Sequence, residues 1–318
     1  MLGIVFAVTS TLTVPSHSVQ VHTKYRSCSY PPSNEPTQPY KPNAKSWKAK
    51  GLANSVKGVD VSMWQHPNVQ PINFKKLKSQ YGVSFVIIKA SDGGNRDGGK
   101  SAHWFAIDSK AARAAGLIVG AYHYSVPGQS GSGMMVVPDS MKSRSNYASL
   151  LATAQANRKR DAQLQARQAY ANAQRTPFGD LPLTLDFEER PCGWSWYKVS
   201  AWTRDFVLEA ERISGRRPII YANGYFVNKL AAHPVKDLSN PSRNFDFSVY
   251  PLWVASWSRT VATAPAEKPI WGSAWTFWQF TSDGDLKDHK TKPTVPSART
   301  DLDVFNGTVA QLKAFTRR

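Results

Sequence analysis

The sequence predicts an α/β fold, an irregular TIM-like (β/α) barrel whose helices thin out in its second half. Three observations lead there. Short apolar runs recur from Gly58 onward, at Gly58–Ser62, Phe85–Ala90, Val119–Tyr124, Leu183–Glu188, Pro218–Ala222, Leu252–Ala255, Thr276–Phe280 and Asp301–Phe305. Helical patterns separate the earlier runs, at Asn73–Tyr81, Trp104–Ala115 and Tyr197–Ser214; in the last, Trp202, Phe206, Ala210 and Ile213 share one face. Strands alternating with helices imply a parallel sheet, and eight of them across about 260 residues suit a closed barrel. The later runs have no clear helices between them, so the second half is expected to be irregular.

Ahead of the barrel, residues 1–20 open on the apolar run Leu2–Val8, which fades into Pro15-Ser16-His17-Ser18. That length suits the core of a signal segment and is too short to span a bilayer, although no Lys or Arg precedes it. Export follows as an expectation, with a secreted, wall-associated location. Residues 21–57 are rich in Pro, Ser, Lys and Tyr and read as a basic linker. The barrel takes 58–318. Inside it, an insertion at about 128–160 opens with Gly128-Gln-Ser-Gly-Ser-Gly133 and passes into Asn146–Arg175. Strong helix formers and few large apolar residues predict one or two exposed, basic helices there. Its Arg158-Lys159-Arg160 run reads as a solvated face.

Composition narrows the function. A hydrophobic share of 41%, with Trp 11, Tyr 12 and Phe 14, supplies a sizeable core and excludes wholesale disorder. No apolar stretch past the N-terminus is long enough for a membrane span. The balance of 40 Lys+Arg against 22 Asp+Glu gives +18, a charge drawn to polyanions such as nucleic acid, anionic lipid or cell-wall polymer. No RNP, helix-turn-helix or zinc-finger pattern supports nucleic acid. The 7 histidines are scattered without ligand spacing, and the 2 cysteines, Cys28 and Cys192, are too far apart for a metal knuckle. No metal or cofactor is expected.

The fourth run, Leu183-Thr-Leu-Asp186-Phe-Glu188-Glu189, carries the chemistry. Side chains alternate along a strand, so Asp186 and Glu188 point one way and Phe187 the other. Two carboxylates on one face at the C-terminal end of an apolar strand are costly to bury. Mutual repulsion raises one pKa, leaving one group to donate a proton while the other stays ionised, which is what glycoside hydrolysis needs. Two acids emerging into solvent at a strand end would show the same spacing. Gly94-Asn-Arg-Asp-Gly-Gly99-Lys100-Ser101 is a literal phosphate-loop match, but Asp92 and Asp97 put negative charge where phosphates would sit. The apolar run also stops at Ala90, short of the motif. Gly128-Gln-Ser130-Gly-Ser132 misses a nucleophile elbow for want of a second glycine.

Eight segments in order then resemble one family: Gly58-Val-Asp60-Val-Ser62-Met-Trp64-Gln65, Ile88-Lys-Ala-Ser91, Gly120-Ala-Tyr122-His-Tyr124, Leu185-Asp186-Phe-Glu188, Arg217-Pro-Ile-Ile-Tyr221, Leu252-Trp253-Val-Ala255, Trp275-Thr-Phe-Trp278-Gln279-Phe and Asp301-Leu-Asp-Val-Phe305-Asn-Gly307. Together they look like the family 25 glycoside hydrolases, the Chalaropsis-type lysozymes, over Gly58 to the C-terminus. The resemblance implies a flattened, irregular barrel and net-retaining hydrolysis of the β-1,4 bond between N-acetylmuramic acid and N-acetylglucosamine in peptidoglycan, without cofactor. It implies Glu188 as general acid and Asp186 as nucleophile or as the group that steadies the substrate's acetamido. Asp60 and Asp301 would tune charge, and Tyr122, Tyr221, Trp253 and Gln279 would line the sugar cleft. For each aromatic taken singly, core packing fits equally well.

The sequence departs from the family pattern where Asp92 replaces the usual Glu, in the long insertion, and at Glu189, a third acid beside the pair. A chitinase-like hydrolase would need aspartate where Leu181 and Thr184 stand, and a non-catalytic wall-binding barrel would be expected to lose Asp186 or Glu188. The expected partners are peptidoglycan and, through the basic surface, anionic cell-wall polymers, with the chain a monomer. An exported protein rarely leaves two thiols free, so a Cys28–Cys192 disulfide is expected to pin the linker beside the catalytic mouth. The alternative is an inert, buried Cys192.

Overall fold

A computed structural model describes residues 44–131, 133–174, 180–257, 261–265, 274–286, 294–297 and 299–316. Eight strands close a barrel in chain order: β1 (Val56–Val61), β2 (Val83–Asp92), β3 (Ile118–Tyr124), β4 (Thr184–Asp186), β5 (Ile219–Asn223), β6 (Leu252–Ala255), β7 (Phe277–Gly284) and β8 (Thr300–Phe305). Each expected strand is present. The helices are α1 (Trp47–Lys50), α2 (Phe74–Tyr81), α3 (Lys100–Ala114), α4 (Tyr147–Ala173), α5 (Trp196–Ser214), α6 (Gly224–Ala232) and α7 (Val309–Phe315). Among the described residues no helix lies between β6 and β7 or between β7 and β8, so the second half is as sparse as expected.

The sheet is not wholly parallel. Strands β1 to β7 run together, but β8 is antiparallel to both β7 and β1. With no crossover helix among the described residues after β7, the chain turns back beside the strand it has left. The reversal brings the first residues of β8 to the barrel end where the other strands finish.

Alternation along the strands sorts the core into two layers. Outward-facing Val59, Val61, Val86, Ile88, Val119, Leu185 and Val254 pack under the helices. Inward-facing Val56, Phe85, Ile219, Phe277 and Phe305 fill the floor, where Phe277 meets Phe85 and Phe305 at centroid distances of 5.3 and 5.2 Å. Gly58 is required by this packing, because a Cβ there would lie 2.1 Å from the Phe85 ring. Leu312 and Phe315 of α7 join the same cluster and close the floor. The inward positions near the other end of the barrel are polar.

Two expectations are corrected. The segment read as exposed helices is one helix, α4, with Ala154, Ala162, Ala166, Ala169 and Ala173 buried. It packs chiefly on α5 and is the crossover between β3 and β4. Alanines at helical spacing let two helices approach closely, so a helix poor in large apolar residues is buried on one side. Lys159 and Arg160 do face solvent. The segment read as linker is folded from residue 44, with Trp47 buried and its Nε1 donating to the Asp303 carbonyl at 2.8 Å. Lys50 is wholly buried over the Trp278 ring. Residues 1–43 lie outside the described residues, and with them Cys28 and the segment expected to direct export. Among the described residues no helix is long and apolar enough to cross a membrane.

Candidate active site

A cleft of about 240 Å³ opens at the C-terminal ends of the parallel strands. It is lined by all eight residues singled out from the sequence: Asp60, Tyr122, Asp186, Glu188, Tyr221, Trp253, Gln279 and Asp301. Ladder geometry explains the convergence. Asp60 is the register partner of Asp301 on β8, and Asp186 that of Tyr124 on β3 and Tyr221 on β5. Regular strand β4 ends at Asp186, and Phe187 N bonds to the Tyr221 carbonyl at 2.8 Å. That bond holds the chain extended for two more residues, so Glu188 projects to the same side as Asp186. Phe187 points outward, edge-on to Phe226 of α6 at 4.9 Å.

The aromatics serve the core and the cleft together. Tyr221 and Trp253 meet edge-to-face at 4.5 Å, Tyr122 and Trp253 at 6.5 Å, and all three are buried. At the rim stand two aromatics the sequence reading did not assign, Trp64 (72% exposed) and Trp257 (49% exposed). Both also line the cleft. Trp64 sits in a short 3₁₀ turn, Met63–Gln65, capped reciprocally by Ser62 and Gln65. His66 ties the adjoining chain to α3, with Nε2 2.8 Å from Asp108, Nδ1 2.9 Å from the Gln70 carbonyl, and its ring stacked on Trp104.

Hydrogen bonds run across the pocket. Gln279 Nε2 donates to Asp60 at 2.8 Å, while its Oε1 accepts from Tyr221 and from Trp257 Nε1, each at 2.9 Å. Trp253 Nε1 donates to Asp303 at 2.9 Å. Asp303 escaped the sequence reading, although its spacing of two from Asp301 puts both on the same face of β8. Burial lifts Asp60, Asp186, Asp301 and Asp303 well above the usual carboxylate range, and neighbouring carboxylates add to each shift. Burial raises Glu188 as well; the Tyr221 hydroxyl beside it would lower it only by turning its single proton from Gln279 to the carboxylate. Lys89, on β2, opposes the rise at both Asp186 and Glu188.

Beside this acidic floor lies a compensated flank. Asp92 pairs with Lys89 and with Arg96 (2.8 Å). Glu189 accepts from the Tyr124 hydroxyl at 2.9 Å and from Arg96 at 3.3 Å, so the third acid is tied off to one side. Behind the wall His123 is wholly buried between Ser91 (2.8 Å) and Gln165 (3.0 Å), and burial pulls its pKa down to about 4. The phosphate-loop look-alike is a tight turn whose Asp97 accepts from the backbone N–H of Gly99 and Ser101. Its own carboxylate fills the place a phosphate would take. Cys192 is exposed and disulfide-bonded, and Cys28, the other cysteine, lies outside the described residues. Among the described residues no three His, Cys, Asp or Glu side chains are grouped to hold a metal ion.

A barrel with paired acids at a strand end, in an open cleft rimmed by exposed indoles, is the construction of a glycoside hydrolase. The chain belongs to the glycosyl hydrolases family 25, whose profile it matches over residues 59–135 and 146–289. The break at 136–145 falls in the loop before α4. Lysozyme M1 of Streptomyces globisporus is 29% identical over 266 residues, covering 82% of this chain and 71% of that protein. Among solved structures, the Streptomyces coelicolor lysozyme superposes with a TM-score of 0.56 at 26% identity, covering 83% of this chain and 97% of that one. The Trichobolus zukalii muramidase gives 0.52 at 25% identity, covering 83% and 99%.

Proposed function

We propose that this enzyme is a lysozyme that cleaves the β-1,4 bond between N-acetylmuramic acid and N-acetylglucosamine in peptidoglycan, with Glu188 as general acid. The observation that carries the proposal is the Asp186–Glu188 pair, set side by side at the strand end in a cleft open at the top. Glu188, half-buried nearer the mouth, is placed to protonate the leaving oxygen. Asp186, 6% exposed, lies deeper and serves the anomeric centre, as nucleophile or as support for the substrate's acetamido group. Burial raises both carboxyls, and repulsion from Glu188 adds to the rise at Asp186, so the pair readily holds one proton. Positive charge developing on the sugar ring favours ionised Asp186 and keeps that proton on Glu188. Asp60 and Asp301 add negative potential around the same ring. Trp64 and Trp257 offer flat faces to neighbouring sugars, and net retention follows when Glu188 returns as base for the incoming water.

On this proposal the enzyme acts outside the cell as a monomer, and its +18 charge supplies adhesion to anionic wall polymers. Mass spectrometry of digested peptidoglycan tests the chemistry. Fragments with reducing muramic-acid ends are expected; new N-acetylglucosamine reducing ends or free peptide amines would overturn it. Glu188→Gln should lower turnover by several orders of magnitude, on the order of 10³-fold or more, with the fold retained. Glu189→Gln should cost far less, because Glu189 is held aside by Tyr124 and Arg96. Equal losses in the two variants would mean the acid is misassigned.

A further inference from the structure

Asp303 is wholly buried, and no salt bridge to Lys, Arg or His is found at it or at Asp60 among the described residues. One carboxyl oxygen accepts from Trp253 Nε1. The other, Oδ2, is fully buried, and among the described residues no N–H or hydroxyl donates to it. The Asp303 carboxyl faces that of Asp60: Asp303 is the register partner of Gln279, whose Nε2 donates to Asp60, and each carboxyl shifts the other. Two carboxylates are acceptors only, so a hydrogen bond that satisfies Asp303 Oδ2 from Asp60 requires one of the two to carry a proton. The titratable and charged groups facing the pair and the acids beside it are Asp301, Asp283, Asp186, Glu188, Glu189, Asp92, Tyr122, Tyr221 and Lys89.

The pair has a directional consequence. Asp60 accepts from Gln279 Nε2, and this fixes the amide with Oε1 toward Tyr221 and Trp257. Tyr221 also meets Glu188, yet a phenol has a single proton. While that proton lies on Gln279 Oε1, Glu188 meets the phenol oxygen as a donor, as the acid. Once Glu188 has given its proton to a leaving group, the phenol proton can turn to the new carboxylate. Trp257 N–H then keeps Gln279 Oε1 satisfied.

We infer that Asp303 is a positioning residue for the general acid: it shares one proton with Asp60, the pair anchors the Gln279 amide, and the anchored amide sets which way Tyr221 faces Glu188. The inference rests on Glu188 being the acid. No covalent change is involved at Asp303, and the proton between the two carboxyls stays there throughout turnover.

Two substitutions test it in the full chain. Asp303→Ala strands the Trp253 N–H and leaves Asp60 without its partner, so Gln279 loses its fixed orientation and the phenol proton falls to Glu188. That favours the ionised acid and lowers its pKa, so the basic limb of the kcat–pH profile should move to lower pH by about one unit. kcat near neutral pH should fall about tenfold with KM little changed. Asp303→Asn keeps an acceptor for Trp253, offers an N–H to Asp60 and preserves the pair's net charge. It should restore the position of the basic limb and most of the rate that Asp303→Ala loses. A merely structural role would lower melting temperature without moving the limb. Infrared difference spectra of wild type against Asp303→Asn at neutral pH should show one buried carboxylic-acid C=O band lost, a readout independent of turnover and of whether the alanine variant folds. An unmoved basic limb in a folded Asp303→Ala, equal damage from both substitutions, or no lost band would overturn the inference. Failure of the wild type to release muramic-acid ends would instead overturn the proposed function, and the infrared band would still report on the pair.

Discussion

Replacing Asp161 with alanine should loosen the loop that follows β3, and the size of the effect follows from its hydrogen bonds. Oδ1 of this buried carboxylate accepts from the backbone N–H of Ser130 and Gly131 at 2.5 and 2.8 Å. Oδ2 accepts from Gly128 N at 2.7 Å, Trp202 Nε1 at 2.6 Å and Gln165 Nε2 at 3.2 Å. The two side-chain donors lie in the interior and find no water when the carboxylate goes, whereas the backbone donors are only part-buried. At about 1 kcal/mol per lost bond, with little solvent rescue for the interior pair, the expected destabilisation is about 3–5 kcal/mol. Urea unfolding followed by tryptophan fluorescence, with an unchanged m-value, measures it, and faster amide exchange at Gly128–Gly131 localises it. The loop presses on the turn after β2, where a Cβ on Gly94 would lie 2.5 Å from the Gln129 carbonyl oxygen, so the loss should spread to the Asp92–Arg96 flank. Asp161→Asn sets an NH₂ against donors already in place and should be little better. A loss below about 1.5 kcal/mol, or full rescue by asparagine, would refute the reasoning.

Three further outcomes are expected. His123 titrates at about 4 in the folded protein, below its ordinary unfolded value, so its contribution is complete above about pH 6.5 and is lost as pH falls from there toward 4. That contribution is at most about 3 kcal/mol, and His123→Gln should flatten the stability–pH curve over that window while leaving the curve above it unchanged. Wall lysis should weaken with added salt far more than cleavage of a small soluble fragment, because a +18 protein is held to an anionic wall by screened attraction; equal salt dependence would remove the adhesion role. Non-reducing peptide mapping of the full chain should yield a Cys28–Cys192 peptide, and reduction should leave most activity intact; thiol labelling at both positions would rule the bridge out.

The sequence and the structure agree where a local rule is sufficient. Apolar runs of strand length mark all eight strands, and period-two alternation puts Asp186 and Glu188 on one side. They part where partners are remote. The apolar run Asp301–Phe305 carries no sign of direction, so the reversal of β8 was invisible. Its second acid, Asp303, looked like any polar residue in a strand until Asp60 and Trp253 were found beside it. The burial of α4 was missed because alanine contributes to burial by allowing close approach, which hydrophobicity does not register. Trp64 and Trp257 lie just beyond strand ends, where only the folded barrel shows that they face one opening. Asp97 could have been weighed further from sequence alone, since an acid two residues before a helix-opening glycine competes for the same N–H groups a phosphate would use.

The reversal of the eighth strand also determines where the chain enters and leaves the barrel. Val56, where β1 starts, is the register partner of Phe305, where β8 ends, so entry and exit lie side by side at the floor. The α7 helix beyond Phe305 seals that same face. Anything joined after α7 therefore starts from the side opposite the cleft, and a tether there can hold the barrel against a surface with its mouth free to work.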